Sequence, residues 1–90
     1  MPSPPSQESP RLPFRSTEYF REIRQRSDRA RILDEWILSA IRSPVAELIQ
    51  RDGRIRRWVY IPVEGRFLRV ILLADGVTVH NAFFDRRFRI

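Results

Sequence analysis

Apolar residues recur at two different periods along this 90-residue chain, and the change comes at Pro44. Before it they fall at helical intervals. Over residues 16–29, Tyr19, Phe20 and Ile23 stand at i, i+1 and i+4, which predicts a helix with one apolar stripe. Ser16 or Thr17 suits its cap and Glu18 its positive N-terminal end, while Arg21, Glu22, Arg24, Arg26 and Asp28 make a solvated face. A second helix is expected from Asp34, read as its N-cap, with Leu33 and Leu38 at hydrophobic-staple spacing. Trp36, Ile37, Ala40 and Ile41 continue the helical period, and Ser43-Pro44 ends it because a residue before proline avoids helical geometry.

Beyond Pro44 the period drops to two. The three glycines each follow an acid, as Asp52-Gly53, Glu64-Gly65 and Asp75-Gly76. Asp-Gly between β-rich runs is a strong hairpin signal, since glycine tolerates the positive φ that the turn demands. The spacing predicts strands over 45–51, 54–62, 66–74 and 77–84. The expected fold is α+β, with two N-terminal helices packed on one face of a four-stranded antiparallel β-meander.

Two-residue loops throughout would set the register, and register sorts side chains by face. Ile61, Leu68 and Phe83 would then share a row, followed by Val59, Val70 and Asn81, and by Leu72 with Val79. That apolar face should take the helices, with Arg57 as its one awkward member. On the other face Tyr60, Arg69 and Ala82 would form one row. Trp58, Ile71 and His80 would form the next, with Arg54 and Arg56 beyond them and Phe67 and Phe84 at one end.

Composition narrows the chemistry. The 42% hydrophobic content suits a globular domain. Residues 1–13 hold five of the seven prolines and three serines, which predicts a disordered tail before a single domain over 14–90. No cysteine and one histidine exclude a thiolate nucleophile and a multi-His or Cys-ligated metal centre within one chain. No run of residues is long and apolar enough for a membrane span, and the N-terminal stretch lacks an apolar signal region, so a cytoplasmic protein without a membrane partner, metal or small-molecule cofactor is expected. All seventeen basic residues are arginine, and the formal charge is +6. Arg-rich codon usage accounts for the missing lysine but not for the surplus. Residues 1–50 hold eight Arg against seven acids; residues 51–90 hold nine against four.

The surplus therefore falls on the predicted sheet. Arg54, Arg56, Arg69, Trp58, Tyr60 and His80 would share one face, with Arg86, Arg87 and Arg89 after the last strand. Guanidinium binds phosphate bidentately, and aromatic side chains stack on bases, so this mixture points to RNA. Plainer readings stand beside it. His80 would serve as a structural hydrogen-bonding group, Trp58 would cover a second small core, and Arg54 and Arg56 would guard a sheet edge. Arg69, in the most apolar strand, needs either a function or a partner, for which Asp85 and Glu47 are available.

The run from Asp34 onward, with a helix ending in Ser-Pro, the "DGR" turn, the "LRV" strand, the second "DG" turn and the terminal "HNAFFDRRF", resembles short bacterial proteins grouped near the RelE/ParE toxin superfamily, with BrnT-like proteins the closer comparison. The resemblance covers about 60 residues. It implies a small α+β fold of two helices against an antiparallel sheet, activity on RNA at or away from the ribosome, and neutralisation by an acidic antitoxin protein; the ParE branch acts on gyrase instead. Arg54, Arg56, Arg69, Tyr60 and His80 fall at positions comparable to the basic, tyrosine and histidine residues of RelE-like nucleases, although the lysines common in ribosome-dependent members are absent. The expected function is a toxin-like RNA-binding protein, extending to a metal-independent endoribonuclease. In that reaction His80 would exchange protons, Tyr60 would assist, and Arg69 with Arg54 and Arg56 would stabilise the phosphorane charge. Trp58, Arg86 and Arg87 would hold the nucleic acid. The alternative is a non-catalytic module that binds an antitoxin or a ParE-type target through the same face, where Trp58, Tyr60, Phe67 and Phe84 supply interface anchors.

Overall fold

A computed structural model describes residues 12–90. Its elements are α1 (Glu18–Ile23), α2 (Ser27–Ala30), α3 (Asp34–Arg42), β1 (Ala46–Ile49), β2 (Ile55–Ile61), β3 (Arg66–Leu72) and β4 (Val79–Phe84). The four strands form one antiparallel sheet in the order β1-β2-β3-β4. The fold is α+β with a meander. Most of the tail expected over 1–13 lies outside the described residues; Leu12, at its end, is partly buried against the core.

The helix expected over 16–29 is two helices. Thr17 caps α1 by accepting from the Phe20 N–H at 3.1 Å. The helix then stops at Ile23 because residues 24–31 offer only Ala30 as an apolar side chain, and helical propensity without a face to bury does not sustain a helix. The chain turns, and Ile32 re-enters the core. At α3, Leu33 rather than Asp34 occupies the N-cap, with no side-chain cap bond. The Asp34 carboxylate instead pairs with Arg24, whose guanidinium also donates to the Ile32 carbonyl at 2.7 Å. This clasp joins the α1 terminus to the α3 entrance.

The two-residue loops are corrected at all three turns. Residues 51–53 close the first, with Gln50 N donating to Arg54 O at 2.8 Å. Residues 62–65 close the second and 74–77 the third. In the third, the Asp75 carboxylate accepts from Val77 N, Thr78 N and Thr78 Oγ1, which lowers its pKa to about 2. Those bonds hold Val77 and Thr78 in the turn, so β4 begins at Val79 instead of 77.

The register changes accordingly. β2 slides two residues along β3, so Val59 faces Leu68 and Trp58 faces Arg69. An even shift keeps each residue on its expected face. Leu72 faces Val79 as the turn predicts, but an irregularity follows at once, and beyond it Ile71 faces Asn81, Val70 faces Ala82 and Leu68 faces Phe84. One extra residue in β4 turns the rest of the strand over. Ala82 enters the core, and Asn81 and Phe83 move to the opposite face.

The buried cluster joins Phe20, Ile32, Ile37 and Ala40 to Val59, Ile61, Leu68, Val70, Leu72, Val79 and Ala82. Along β2 and β3 these sheet residues alternate and stand on one face. Arg57 belongs to that face too. It is held at its margin by Glu47, to which Nε donates at 2.6 Å, and by the Ile41 carbonyl at 2.8 Å near the end of α3. The two sheet edges differ. Along β4 the chain before α1 lies parallel, with Val79 N donating to Arg15 O at 2.8 Å and Thr17 N to Val79 O at 3.0 Å. β1 has no outer neighbour among the described residues, and Val45, Leu48 and Ile49 beside that edge are exposed.

Candidate nucleic-acid interface

The face opposite the core cluster centres on Asp85. This residue follows β4 directly and extends the ladder, its N–H donating to Phe67 O at 2.9 Å. Its Oδ2 accepts from Trp58 Nε1 at 2.9 Å, Arg69 Nε at 3.0 Å and Arg69 Nη2 at 2.6 Å, and its Oδ1 accepts from Arg87 N at 3.0 Å. Burial raises the carboxyl pKa, but the bonds from Trp58, Arg69 and Arg87 N outweigh it and hold it below the usual 3.8. Arg69 also lies over two rings, 5.5 Å from Trp58 and 5.0 Å from Phe83. Its charge is answered by a partner.

The segment after β4 covers this network. Phe88 stacks on Trp58 with centroids 4.6 Å apart and meets Phe67 edge-on at 5.0 Å. Tyr60 meets Phe67 edge-on at 5.1 Å. Trp58 is consequently only 6% exposed, whereas Tyr60 remains 44% exposed. The expected open aromatic face is thus a second small core around Trp58, with Tyr60 at its rim. Asp85 was legible as a possible partner of Arg69. Phe88 was missed, and the one cue for it was an aromatic residue within an arginine-rich segment.

His80 stands elsewhere. The bulge places it beside Thr17, whose hydroxyl lies 3.1 Å from Nδ1, and against Tyr19, with stacked rings 4.9 Å apart. Since Thr17 Oγ1 accepts the Phe20 N–H, its proton is free to donate to a neutral imidazole. Burial lowers the His80 pKa below 6.5 and Arg54 lowers it further, against a smaller opposing effect of Asp52. Val79, the residue before His80, pairs with Leu72 and so with Ile55. Along the strands that row is roughly 10 Å from Arg69 and roughly 16 Å from Tyr60. The structure makes Tyr60 and Arg69 diagonal neighbours across β2 and β3 and leaves His80 away from Tyr60.

The proposed binding residues are spread along the same face. Arg54, Arg56, Trp58 and Tyr60 alternate along β2 and the turn before it, and Arg86 and Arg87 lie at the Asp85 end. Arg54 has a long ion pair with Asp52 at 3.9 Å. Arg56, Arg86 and Arg87 have no carboxylate partner among the described residues, and the Arg56 Nε is buried without a hydrogen-bond partner. Comparison with protein-family models, curated proteins and solved structures finds no match.

Proposed function

We propose that the protein is a toxin-like RNA-binding protein that holds single-stranded RNA without cleaving it. The observation that carries this reading is that Arg56, Arg86 and Arg87, which have no carboxylate partner among the described residues, occur together with the exposed Tyr60 on the sheet and the segment that follows it. Phosphates would be met by the arginines, and a base would stack on Tyr60. Binding without cleavage follows from the separation of His80 from Tyr60. Proton transfer needs a group within about 3 Å of the reacting oxygen, and no single phosphate reaches His80 and Tyr60 together. Arg69, ion-paired with Asp85, has the role of building the surface.

The test is fluorescence anisotropy of a labelled single-stranded RNA across a salt series, with the RNA run on a gel afterwards. Three phosphate contacts predict a slope of log affinity against log salt near about −2, and Arg56→Gln or Arg87→Gln should each flatten it by about 0.7. Intact RNA is expected with the wild type. Absence of saturable binding at low salt would overturn the reading. RNA cleavage lost in His80→Ala would restore the endoribonuclease.

A second reading is favoured by the open β1 edge with its exposed Val45, Leu48 and Ile49. An acidic partner of antitoxin type, complementary to the +6 chain, would cover that edge and the adjoining arginines. The apolar contacts of such a complex, at Val45, Leu48 and Ile49, would persist in salt while its ionic contacts weaken, so its affinity should fall less steeply with salt than RNA binding does.

A further inference from the structure

A cleft of about 230 Å³ opens at one end of the molecule, lined by Asp28 and Arg29 of α2, Arg66 of β3, Phe83 and Phe84 of β4, and Arg86. It brings together three guanidinium groups from segments far apart in the sequence. Two are fixed by rings: the Arg29 guanidinium lies 5.1 Å from the Phe83 centroid, and that of Arg66 lies 3.9 Å from the Phe84 centroid. A guanidinium stacked on a ring keeps its N–H edge available in plane. Arg29 uses Nη1 on Asn81 Oδ1 at 2.6 Å, and Arg66 uses Nη2 in an ion pair with Glu64 Oε1 at 2.5 Å, so each retains donors although Glu64 offsets part of the Arg66 charge. The Arg86 side chain has no hydrogen bond or ion pair among the described residues. Asp28 approaches Arg29 only to 3.4 Å and its side chain is 70% exposed, so water screens much of its charge.

Size and symmetry narrow the ligand. Sites for drug-sized molecules span about 300–1,000 Å³, and this cleft is smaller. Three forks approaching from three segments suit a tetrahedral oxyanion better than a planar carboxylate, which presents two oxygens. We infer that the cleft is a phosphoryl-binding site in which Arg29, Arg66 and Arg86 surround the oxygens of one phosphate group. For the source of that phosphate the inference rests on the RNA reading; for its chemistry it does not.

The experiment titrates the full-length isotope-labelled protein with inorganic phosphate, adenosine 5′-monophosphate, and a uridine hexanucleotide carrying either a 5′-phosphate or a 5′-hydroxyl, at constant ionic strength. The Arg Nε–H signals are followed by NMR. Saturable shifts at Arg29, Arg66 and Arg86 are expected with phosphate. Arg86→Gln, a change at an exposed position, should weaken binding about tenfold, and Arg42→Gln by less than about twofold. A 5′-phosphorylated hexamer that binds the cleft more tightly than the mononucleotide supports RNA as the source. Equal binding of the mononucleotide and both hexamers' failure to bind elsewhere would keep the site and end the RNA reading. Non-saturating shifts spread over all arginines, or equal effects of Arg86→Gln and Arg42→Gln, would overturn the site. RNA binding that still depends on Arg56 and Arg87 would then leave the RNA reading standing.

Discussion

The Asp85 carboxylate accepts four hydrogen bonds, and its loss would leave Arg69 half-buried without an anion. Removing one member of such a pair costs more than the pair contributes, because the remaining charge stays desolvated. Asp85→Asn is therefore expected to destabilise the fold by about 2–3 kcal/mol, below the range for fully buried pairs because Arg69 is partly solvated. Urea denaturation measures this, and Asp85→Leu combined with Arg69→Met should recover part of the loss. The pH dependence has a definite sign. A carboxyl whose folded pKa lies below 3.8 contributes stability in full above that value and loses it as pH falls through the folded pKa. Wild type should thus lose stability in acid more steeply than Asp85→Asn. His80 also titrates below its ordinary 6.5, through burial first and Arg54 second. An NMR titration should place its midpoint under that value, and Arg54→Gln should move the midpoint upward.

Among the elements, the segment after β4 has the largest effect on the candidate surface. Phe88 converts an exposed Trp58 into a buried one. Phe88→Ala is expected to cost about 1.5–2 kcal/mol, since roughly half a phenylalanine's burial and its ring contacts are lost. In a Trp36→Phe background, Trp58 fluorescence should shift to the red without unfolding. This element was not legible in the sequence, because arginines on both sides of Phe88 make the stretch read as solvated. The meander was legible, since Asp-Gly turns punctuate runs of period two. The faces of β2 and β3 survived a wrong loop length because the error was even. The face of β4 did not survive, because a one-residue bulge leaves no mark in an alternating pattern. Arg57 and Asp34 follow the same logic: their types were plain, but the partners that decide their roles lie across the fold.

At the scale of the molecule, the arginine surplus is divided by pairing. Arg24, Arg57 and Arg69 hold elements together through carboxylates and carbonyls, and Arg29 and Arg66 do so through the Asn81 amide and the Phe83 and Phe84 rings. Arg56, Arg86 and Arg87 belong to the larger set without a carboxylate partner among the described residues, and Arg86 shares its cleft with Arg29 and Arg66. The chain before α1, laid along β4, has a kinetic consequence. Every strand in the meander pairs with its sequence neighbour, which gives short loops to close and low contact order. The Ser16–Val79 bridge spans 63 residues and can form only after the sheet exists. It is expected to form late in assembly and to open early. In native-state hydrogen exchange, the Thr17 and Val79 amides should exchange together at a lower opening free energy than the Leu68 and Val70 amides, as a detachable arm whose release also frees His80 from Thr17.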